Sequence, residues 1–520
     1  MKTRMLKYSL LVAFYASSFL GMSQSNSQKN IILIITDDHA YQAISAYNDR
    51  LANIAPTPNI DKLANNGVRF DRSYVGNSIC APSRATILTG KHSHLNGIKT
   101  LKEKFDGSQP TIANILQKNG YETSFFGKWH LKNNPVGFTN WDVLIGQGDY
   151  YNSDFKTTEG NTRSKGYVTD VITDKAINWL DATREKEKPF LMIVGHKAPH
   201  ANWLPPVKYL TTFDDIDIPE PNNLFDNHSE NGLGVKETDM TIEEMPMGWY
   251  CQLWSKKQEK PNRYEDFGGA LWKRAYGRLS IDEKASFDNV FNPKNEAFLK
   301  TNLKEEDLIR WKYQRIMKNY LGCVKSVDDN VGRLMDYVKT AGLEDNTLVI
   351  YVSDQGLFLG EHGWYDKRMM YEEAFRTPLI AYCPSLVTRG KVSEELVQNI
   401  DYPPTILDFA NVKIPSEMQG KSLLPILKNK KVKNWRESLY YHYYDYPGGH
   451  DIQKHEGIVT KRYKLIYFYE INKWEFYDLK KDPSEMKNQF KNASYKKEVA
   501  RLKNELIKLR KEYKVPTNNI

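Results

Sequence analysis

Short apolar runs alternate with longer amphipathic stretches over much of the chain. Residues 31–36 (IILIIT) form a nearly continuous β-branched run, which is typical of a strand covered on both faces. Weaker runs of the same kind occur at residues 121–126, 190–194, 348–352 and 379–382. Amphipathic stretches at residues 111–119, 168–182 and 311–341 predict helices, and Gly120 is placed to end the first. Strands that alternate with helices predict an α/β fold with a large, mostly parallel sheet flanked by helices.

Two later regions depart from this rhythm. Residues 205–300 are polar and loop-like, with an aromatic cluster at Trp249, Tyr250, Trp254, Trp272 and Tyr276. The segment is either an insertion that packs its own aromatic side chains or a lid over a site. Residues 439–446, 457–468 and 474–479 are aromatic and alternating, as in antiparallel strands, and a Lys-rich helical stretch follows at 495–514. We therefore expect a main domain at residues 24–431 and a smaller α+β domain at 432–520.

The first 23 residues have the pattern of a secretory signal peptide. Basic residues Lys2, Arg4 and Lys7 precede an apolar stretch at 10–20, and small residues around position 23 suit cleavage. The apolar stretch is too short for a permanent membrane span, so we expect an exported protein, periplasmic or secreted. Removing residues 1–23 lowers the net charge from +9 to +6. That mild excess favours solubility and gives some attraction for a polyanion.

Composition and cysteine content exclude several classes of protein. A chain of 520 residues, 40% hydrophobic and 26% charged, suits about two or three folded domains and not a collagen-like, disordered or multi-span membrane protein. The four cysteines are too few and too far apart for a disulfide scaffold or a CxxC zinc site: Cys80, Cys251, Cys323 and Cys383.

Several predicted strands end in residues that can do chemistry. Asp37 and Asp38 follow the first strand, and Asp354 and Gln355 follow the strand at 348–352. Since parallel strands bring their carboxyl ends to one edge, these oxygen-bearing side chains can meet there and hold a hard cation such as Ca²⁺ or Mg²⁺. Adjacent acids after a strand can also merely cap a helix, but two such pairs favour the metal. Other strand ends lead to Lys128 and His130, and to His196, Lys197 and His200.

The most informative segment is Cys80-Ala-Pro-Ser-Arg84-Ala-Thr-Ile-Leu-Thr89-Gly90. A lone Cys is usually a small buried hydrophobe, but here Pro82, Arg84 and Thr89-Gly90 follow at fixed spacing. The segment resembles the sulfatase motif C-x-P-S-R-x-x-x-x-T-G at every fixed position. Further elements resemble the same family: GKWH at 127–130, APH at 198–200, SDQG at 353–356, GEHGWYDK at 360–367 and WEFYDLKKDP at 474–483. Gln355 departs from the Asn of many members, although both amides offer an oxygen.

The resemblance implies an alkaline phosphatase-like fold and a mechanism. In the family the Cys, here Cys80, is oxidised to formylglycine, and the aldehyde hydrate is the nucleophile. One calcium ion would be bound by Asp37, Asp38, Cys80, Asp354 and Gln355. Arg84 would support the hydrate, and Lys128 and Lys367 would hold sulfate oxygens. His200 is the expected general acid, with Lys367 able to share that role, and His130 is the expected base that expels sulfate. His94 is a further, weaker candidate.

The family resemblance, the expected export and the mild positive charge also suggest a substrate class and protein partners. A sulfated polysaccharide or oligosaccharide suits an exported, mildly basic chain, and algal polysaccharides and glycosaminoglycans both stay open. His442, His450 and the Tyr-rich run at 440–446 could supply substrate contacts, although a packed sheet is the more ordinary explanation of that run. A formylglycine-generating or anaerobic maturation enzyme is the expected protein partner, with neither nucleic acid nor a membrane span. Two rivals are a phosphomonoester or phosphonate hydrolase and a non-catalytic binder of sulfated glycans.

Overall fold

The computed structural model describes residues 29–232, 238–253 and 265–516. The predicted signal peptide at 1–23 and Trp254 of the aromatic cluster lie outside these residues. No helix among the described residues has both the length and the apolar character needed to cross a membrane.

A ten-stranded sheet forms the centre of the main part of the molecule. From one edge to the other its strands are Lys391–Ser393, Val68–Phe70, Leu379–Tyr382, Thr347–Ser353, Asn30–Thr36, Phe190–Gly195, Glu122–Gly127, Asn140–Leu144, Asp154–Thr157 and Gly160–Arg163. The five strands from Thr347–Ser353 to Asn140–Leu144 run parallel to one another. The predicted strand Leu379–Tyr382 exists but pairs antiparallel on both sides. The sheet is therefore parallel at its centre and mixed at its edges, which confirms the predicted fold class.

Alternate side chains of the central strand enter two different cores. Ile32 and Ile34 pack with the helices on one face, and Ile31, Leu33 and Ile35 pack with those on the other. This explains why residues 31–35 include no polar position, because both faces of the strand are covered. The helices are Pro58–Asn66, Cys80–Thr89, Ser93–Asn96, Ile112–Lys118, Val168–Asn178, Met247–Tyr250, Glu265–Arg278, Ile281–Leu299, Glu305–Thr340, Glu372–Phe375, Tyr402–Phe409, Leu424–Leu427 and Lys496–Glu512.

Three of the predicted helices occur with shifted ends. Thr111 caps the helix Ile112–Lys118, and Gly120 follows that helix with a φ of 84°. The third predicted helix begins earlier than expected and runs from Glu305 to Thr340.

The prediction that residues 205–300 are loop-like is wrong for their last third. Two helices, Glu265–Arg278 and Ile281–Leu299, occupy it. In the second, the Ser280 side chain accepts from the backbone of Glu283 while the Glu283 side chain accepts from the backbone of Ser280. This reciprocal cap stabilises a helix that buries few residues and therefore has only a weak hydrophobic pattern.

The C-terminal part is a four-stranded antiparallel sheet with one helix on it. Its strands are Ser438–Tyr443, His455–Thr460, Tyr463–Phe468 and Lys473–Asp478. The alternating stretch 457–468 lies in a hairpin that turns at Lys461 and Arg462. One face of this sheet packs against the helix Lys496–Glu512, and the other packs against residues 74–79 of the main part.

Contacts across this junction reach the segment just before Cys80. The backbone N–H of His442 donates to the carbonyl of Gly76 at 3.0 Å. The hydroxyl of Tyr441 accepts from the N–H of Ser78 at 3.4 Å and donates to the carbonyl of Arg368 at 2.5 Å. The C-terminal sheet therefore supports two stretches of chain that carry site residues.

Candidate active site

Cys80 lies at the first turn of a buried helix. Ile79 before it is extended, the helix runs from Cys80 to Thr89, and Gly90 ends it with a φ of 66°. The Cys80 Sγ lies 3.4 Å from Oδ1 of Asp37 and 3.4 Å from Nε2 of Gln355. Burial and the neighbouring Asp37 raise the pKa of the thiol to about 12. A protonated thiol is a weak nucleophile, so Cys80 as encoded is not set up for thiolate chemistry.

Three carboxylates meet at the ends of two adjacent strands. Thr36 and Ser353 pair in parallel register, which places Asp37 beside Asp354. Oxygen atoms of Asp37, Asp38 and Asp354 lie within 4.8 Å of one another, and all three side chains are buried. The backbone N–H of Asp38 donates to Asp354 Oδ1 at 3.3 Å. Strand register thus produces the convergence that the sequence predicts.

Each of these carboxylates has its own cationic partner. Lys128 pairs with Asp37 Oδ2, Lys367 Nζ lies 2.5 Å from Asp38 Oδ2, and Arg84 Nε lies 2.8 Å from Asp354 Oδ2. The six side chains are almost entirely buried. The charges therefore balance one to one in a region from which water is largely excluded.

The protonation of the carboxylates depends on their neighbours. Burial raises the pKa of Asp354 to about 7 and also raises that of Asp38. Burial acts in the same direction on Asp37, but Lys128, His200 and Arg84 hold its pKa well below the ordinary value. Two of the three carboxylates are consequently easier to protonate than usual, and an added cation would favour their charged forms.

The residues present fit a hard cation. Asp37, Asp38, Asp354 and Gln355 supply only oxygen atoms, which is the donor set that calcium prefers. Gln355 donates from Nε2 to Asp38 Oδ1 at 2.5 Å, whereas its Oε1 is buried without a hydrogen-bond partner. A buried carbonyl oxygen without a partner is costly, and a bound cation would satisfy it.

Two histidines lie beside this centre. His200 Nε2 is 3.7 Å from Asp38 Oδ2, and its Nδ1 donates to the carbonyl of Ala201 at 2.5 Å. In the neutral ring Nε2 is therefore the unprotonated nitrogen. His130 follows the strand Glu122–Gly127 and has a buried Nδ1 without a partner. Burial lowers the pKa of both rings well below the ordinary value, so both are neutral near pH 7.

A cavity of about 540 Å³ opens over Cys80, Asp38, His200 and Lys367. Its other lining residues are Ile79, Leu101, Gln147, Ala201, Trp203, Asp239, Glu244, Pro246, Tyr250, Leu357, Tyr365, Asp366, Arg368, Gly449 and His450. The cavity therefore brings the end of the central sheet together with residues from the 239–250 segment and from the C-terminal part.

Family models match nearly the whole described chain. One described as "Sulfatase" covers residues 29–412. The chain belongs to the sulfatase family. As a member it is a sulfuric ester hydrolase, and a second model, "N-sulphoglucosamine sulphohydrolase, C-terminal", matches residues 360–512.

Two relatives within the family show which sulfatases this chain is similar to in sequence. An N-acetylglucosamine-6-O-sulfatase of Bacteroides thetaiotaomicron is 44% identical over 96% of this chain and 89% of its own. The human N-acetylglucosamine-6-sulfatase is 26% identical over 84% of this chain and 70% of its own.

Solved structures of a substrate complex and of a phosphonate hydrolase both share the fold of this chain. One, described as a complex with its substrate D-glucosamine-2-N,6-O-disulfate, is 44% identical, covers 95% of this chain and 99% of its own, and has a TM-score of 0.90. A phosphonate monoester hydrolase from Silicibacter pomeroyi shares the fold at 20% identity, with 94% of this chain and 96% of its own covered and a TM-score of 0.68. The fold alone therefore does not distinguish sulfate from phosphorus chemistry.

Some predicted candidates lie elsewhere in the sulfatase. The His94 ring bonds to the carbonyl of Tyr513 at 2.8 Å and does not line the cavity. His442 is buried in the C-terminal sheet, where its ring bonds to Tyr440 at 2.8 Å and Tyr469 at 3.1 Å. Neither histidine lines the cavity and each ring bonds within the protein, so the structure gives no support to the expectation that they contact substrate.

The aromatic cluster of residues 205–300 is divided between two places. Tyr250 lines the cavity, whereas Trp272 and Tyr276 pack against each other with ring centroids 5.8 Å apart. The segment thus supplies part of the cavity wall and part of its own packing.

Most of the residues that line the cavity were not predicted from the sequence. His450 was a candidate, but its partners were not: Nδ1 lies 2.8 Å from Asp239 Oδ1, and Nε2 lies 2.9 Å from Asp366 Oδ2. Burial alone would lower the pKa of His450, but these two hydrogen bonds raise it above the ordinary value. Asp366 and Arg368 flank Lys367 and could have been suspected from that position, whereas Asp239 carries no local signal.

Proposed function

We propose that this chain is an exported, calcium-dependent sulfatase that removes the 6-O-sulfate from N-acetylglucosamine or glucosamine units of a sulfated glycan. The observation that carries the proposal is the position of Cys80, which contacts Asp37 and Gln355 at the base of a cavity that Lys367 also lines. Lys128 and Arg84 pair with the neighbouring carboxylates Asp37 and Asp354. The activities for which the relatives with 44% and 26% identity are named support the choice of sugar and position.

The nucleophile requires a change at Cys80. Because burial raises the pKa of its thiol to about 12, the unmodified side chain would not attack at neutral pH. We infer that a maturation enzyme converts Cys80 to formylglycine, whose hydrate offers a hydroxyl in the same place. Asp37, Asp38, Asp354 and Gln355 would hold the calcium ion, which when bound lowers the pKa of a nearby hydroxyl and attracts negative sulfate oxygens.

The buried cations stabilise negative charge at the reacting group. Arg84 reaches both Asp354 Oδ2 and the carbonyl of Lys128, at 2.8 and 2.6 Å, so its guanidinium is rigidly oriented. Lys128 and Lys367 add two point charges that need no reorganisation when a sulfate ester arrives. Fixed charges of this kind are each worth about 10²–10³ in rate.

Proton transfer falls to the two neutral histidines. His200 lines the cavity and keeps Nε2 free, so a negatively charged sulfate ester beside it would raise its pKa and let it protonate the departing sugar oxygen. Lys367 can share this role. His130 has an unpartnered Nδ1 and can accept the proton released when sulfate leaves the enzyme.

The test is a panel of matched substrates on the matured, calcium-loaded enzyme. Released sulfate is measured for N-acetylglucosamine-6-sulfate, glucosamine-6-sulfate and N-sulfoglucosamine, and released phosphate for N-acetylglucosamine-6-phosphate. We expect sulfate from the two 6-sulfates only, and loss of activity in a calcium chelator. A faster reaction with the 6-phosphate would support the phosphomonoesterase rival, and binding without sulfate release would support the non-catalytic binder.

Two further measurements examine maturation and export. Mass spectrometry of the peptide that contains Cys80 should show an aldehyde in active enzyme, and Cys80→Ala should abolish turnover while the calcium-dependent rise in melting temperature persists. A free thiol in fully active protein would contradict the assigned nucleophile. Amino-terminal sequencing of protein recovered from outside the cytoplasm should begin after residue 23, and an intact leader there would contradict export.

A further inference from the structure

Two histidines and an aspartate form a second cluster of metal-ligating side chains. One ligand atom each from Asp226, His228 and His362 lies within 4.8 Å of the others. His362 belongs to the turn Glu361–Gly363, and the other two residues belong to a loop far from it in sequence. None of the three lines the cavity above Cys80, so the cluster has no part in the proposed reaction.

The Asp226 carboxylate is oriented so that one oxygen faces both rings. Its Oδ1 accepts the backbone N–H of His228 at 2.9 Å. Its Oδ2 lies 3.0 Å from Nδ1 of His362 and 3.3 Å from Nδ1 of His228. The second of these contacts lacks the alignment of a hydrogen bond, so the buried Nδ1 of His228 has no hydrogen-bond partner. Three potential ligand atoms therefore converge while one of them is unsatisfied.

Aromatic packing fixes both imidazole rings. Trp364 is fully buried, and its ring stacks on that of His228 with centroids 4.5 Å apart and an angle of 8°. The ring of His362 stacks on the same tryptophan at 5.0 Å, and its own side chain is completely buried. Ligands held in place before binding lose little conformational freedom when a metal arrives, which strengthens binding.

A cavity of about 430 Å³ gives access to the cluster. Asp226, His228 and His362 line it together with the acidic side chains Glu243, Glu305 and Glu306. The acidic lining would attract a cation, and the space can admit water as a further ligand. Imidazole nitrogens with one carboxylate suit zinc, in contrast to the oxygen-only set near Cys80, which suits calcium.

We propose that Asp226, His228 and His362 bind one zinc ion, separate from the calcium site. The ion would join the loop that carries Asp226 to the segment 361–367. That segment ends at Lys367 of the active site. Zinc would thus stabilise the position of a cavity-wall segment without contacting the substrate.

The test uses the full-length, calcium-saturated protein after removal of any His-tag. Isothermal titration with Zn²⁺ should show one site, and Co²⁺ should give a visible absorption band from nitrogen ligation. His228→Ala and Asp226→Asn should each weaken Zn²⁺ binding by more than about tenfold. His94→Ala, which removes a histidine bonded to Tyr513, should bind normally. Unchanged Zn²⁺ binding in both cluster variants would overturn the proposal.

X-ray absorption of the zinc-loaded wild-type protein gives an answer that does not depend on the folding of any variant. We expect the scattering of two imidazole rings around the zinc. A zinc environment of oxygen atoms alone, or the absence of a zinc-binding site in the wild-type titration, would refute the site. Sulfate release by His228→Ala, assayed with calcium, should stay within about twofold of wild type, because this residue does not contact the reacting groups.

Discussion

Replacement of Lys128 by Met measures how much a fully buried ion pair contributes to the free energy of unfolding. Lys128 and Asp37 are both completely buried and form an ion pair. At an effective dielectric constant of about 20, two charges about 3 Å apart attract by about 5 kcal/mol. Arg84 and Lys367 also act on Asp37 and offset part of the loss. We therefore expect Lys128→Met to lower the free energy of unfolding by about 3–5 kcal/mol in metal-free protein.

The matched control is Lys175→Met. Lys175 pairs with Asp142 at 2.5 Å, but both side chains are 23% exposed, so solvent screens the pair and its loss should cost about 1 kcal/mol or less. Urea unfolding in a calcium chelator, followed by tryptophan fluorescence, compares the two variants with wild type. Equal losses of stability in Lys128→Met and Lys175→Met would refute the reasoning.

Calcium provides an internal check on the same variant. If the ion binds Asp37, its charge replaces part of that of Lys128, so the stability deficit of Lys128→Met should shrink in saturating calcium. The turnover number should nevertheless stay about 10²–10³ below wild type, because the fixed charge beside the sulfate ester is lost. A deficit that grows when calcium is added would contradict the assignment of Asp37 to the metal.

Three further predictions concern the residues Glu475, Gly127 and Gln355. Burial raises the pKa of Glu475 to about 7, so its contribution to stability is present below about pH 4.5 and is lost as the pH rises through 7. From pH 5 to pH 8 the stability of Glu475→Gln should therefore rise relative to wild type by up to about 3 kcal/mol, and a constant difference in thermal unfolding would contradict this. Gly127→Ala should cost about 4 kcal/mol or more in chemical unfolding, because φ is 106° and a Cβ would lie 2.0 Å from the carbonyl oxygen of Gly195. The control Gly120→Ala, with a φ of 84° and open space, should cost about 1–2 kcal/mol, and equal costs would argue against the clash. Gln355→Leu should raise the calcium concentration for half-maximal activity at least about tenfold while Gln355→Asn should not, and identical calcium titrations would exclude Gln355 as a ligand.

The sequence predicted the centre of the fold because strong local patterns lie there. Residues 31–35 have no polar position, as expected for a strand covered on both faces. The convergence of Asp37 with Asp354 then follows from parallel pairing in register. Both the apolar run and the meeting of the two aspartates result from a central parallel strand that is covered on both faces.

Other features have no comparable local signal. A four-residue apolar run such as Leu379–Tyr382 has the same pattern in either strand direction, so its antiparallel pairing could not be predicted. The hairpin at residues 455–468 turns through Lys461 and Arg462, without the Gly, Asn or Pro that usually marks a turn. The partnership of His450 with Asp239 joins residues more than 200 positions apart, and neither one indicates the other.

The support that the C-terminal sheet gives to the segment before Cys80 has a consequence for protein engineering. Strand Ser438–Tyr443 supplies hydrogen bonds to Gly76, Ser78 and Arg368, so a truncation at residue 431 would remove scaffolding from the reaction centre and uncover a large apolar surface. The two halves are accordingly not exchangeable modules. Swapping the tail of this protein for that of a distant relative would require the grafted strand to reproduce these bonds before any new specificity could be selected.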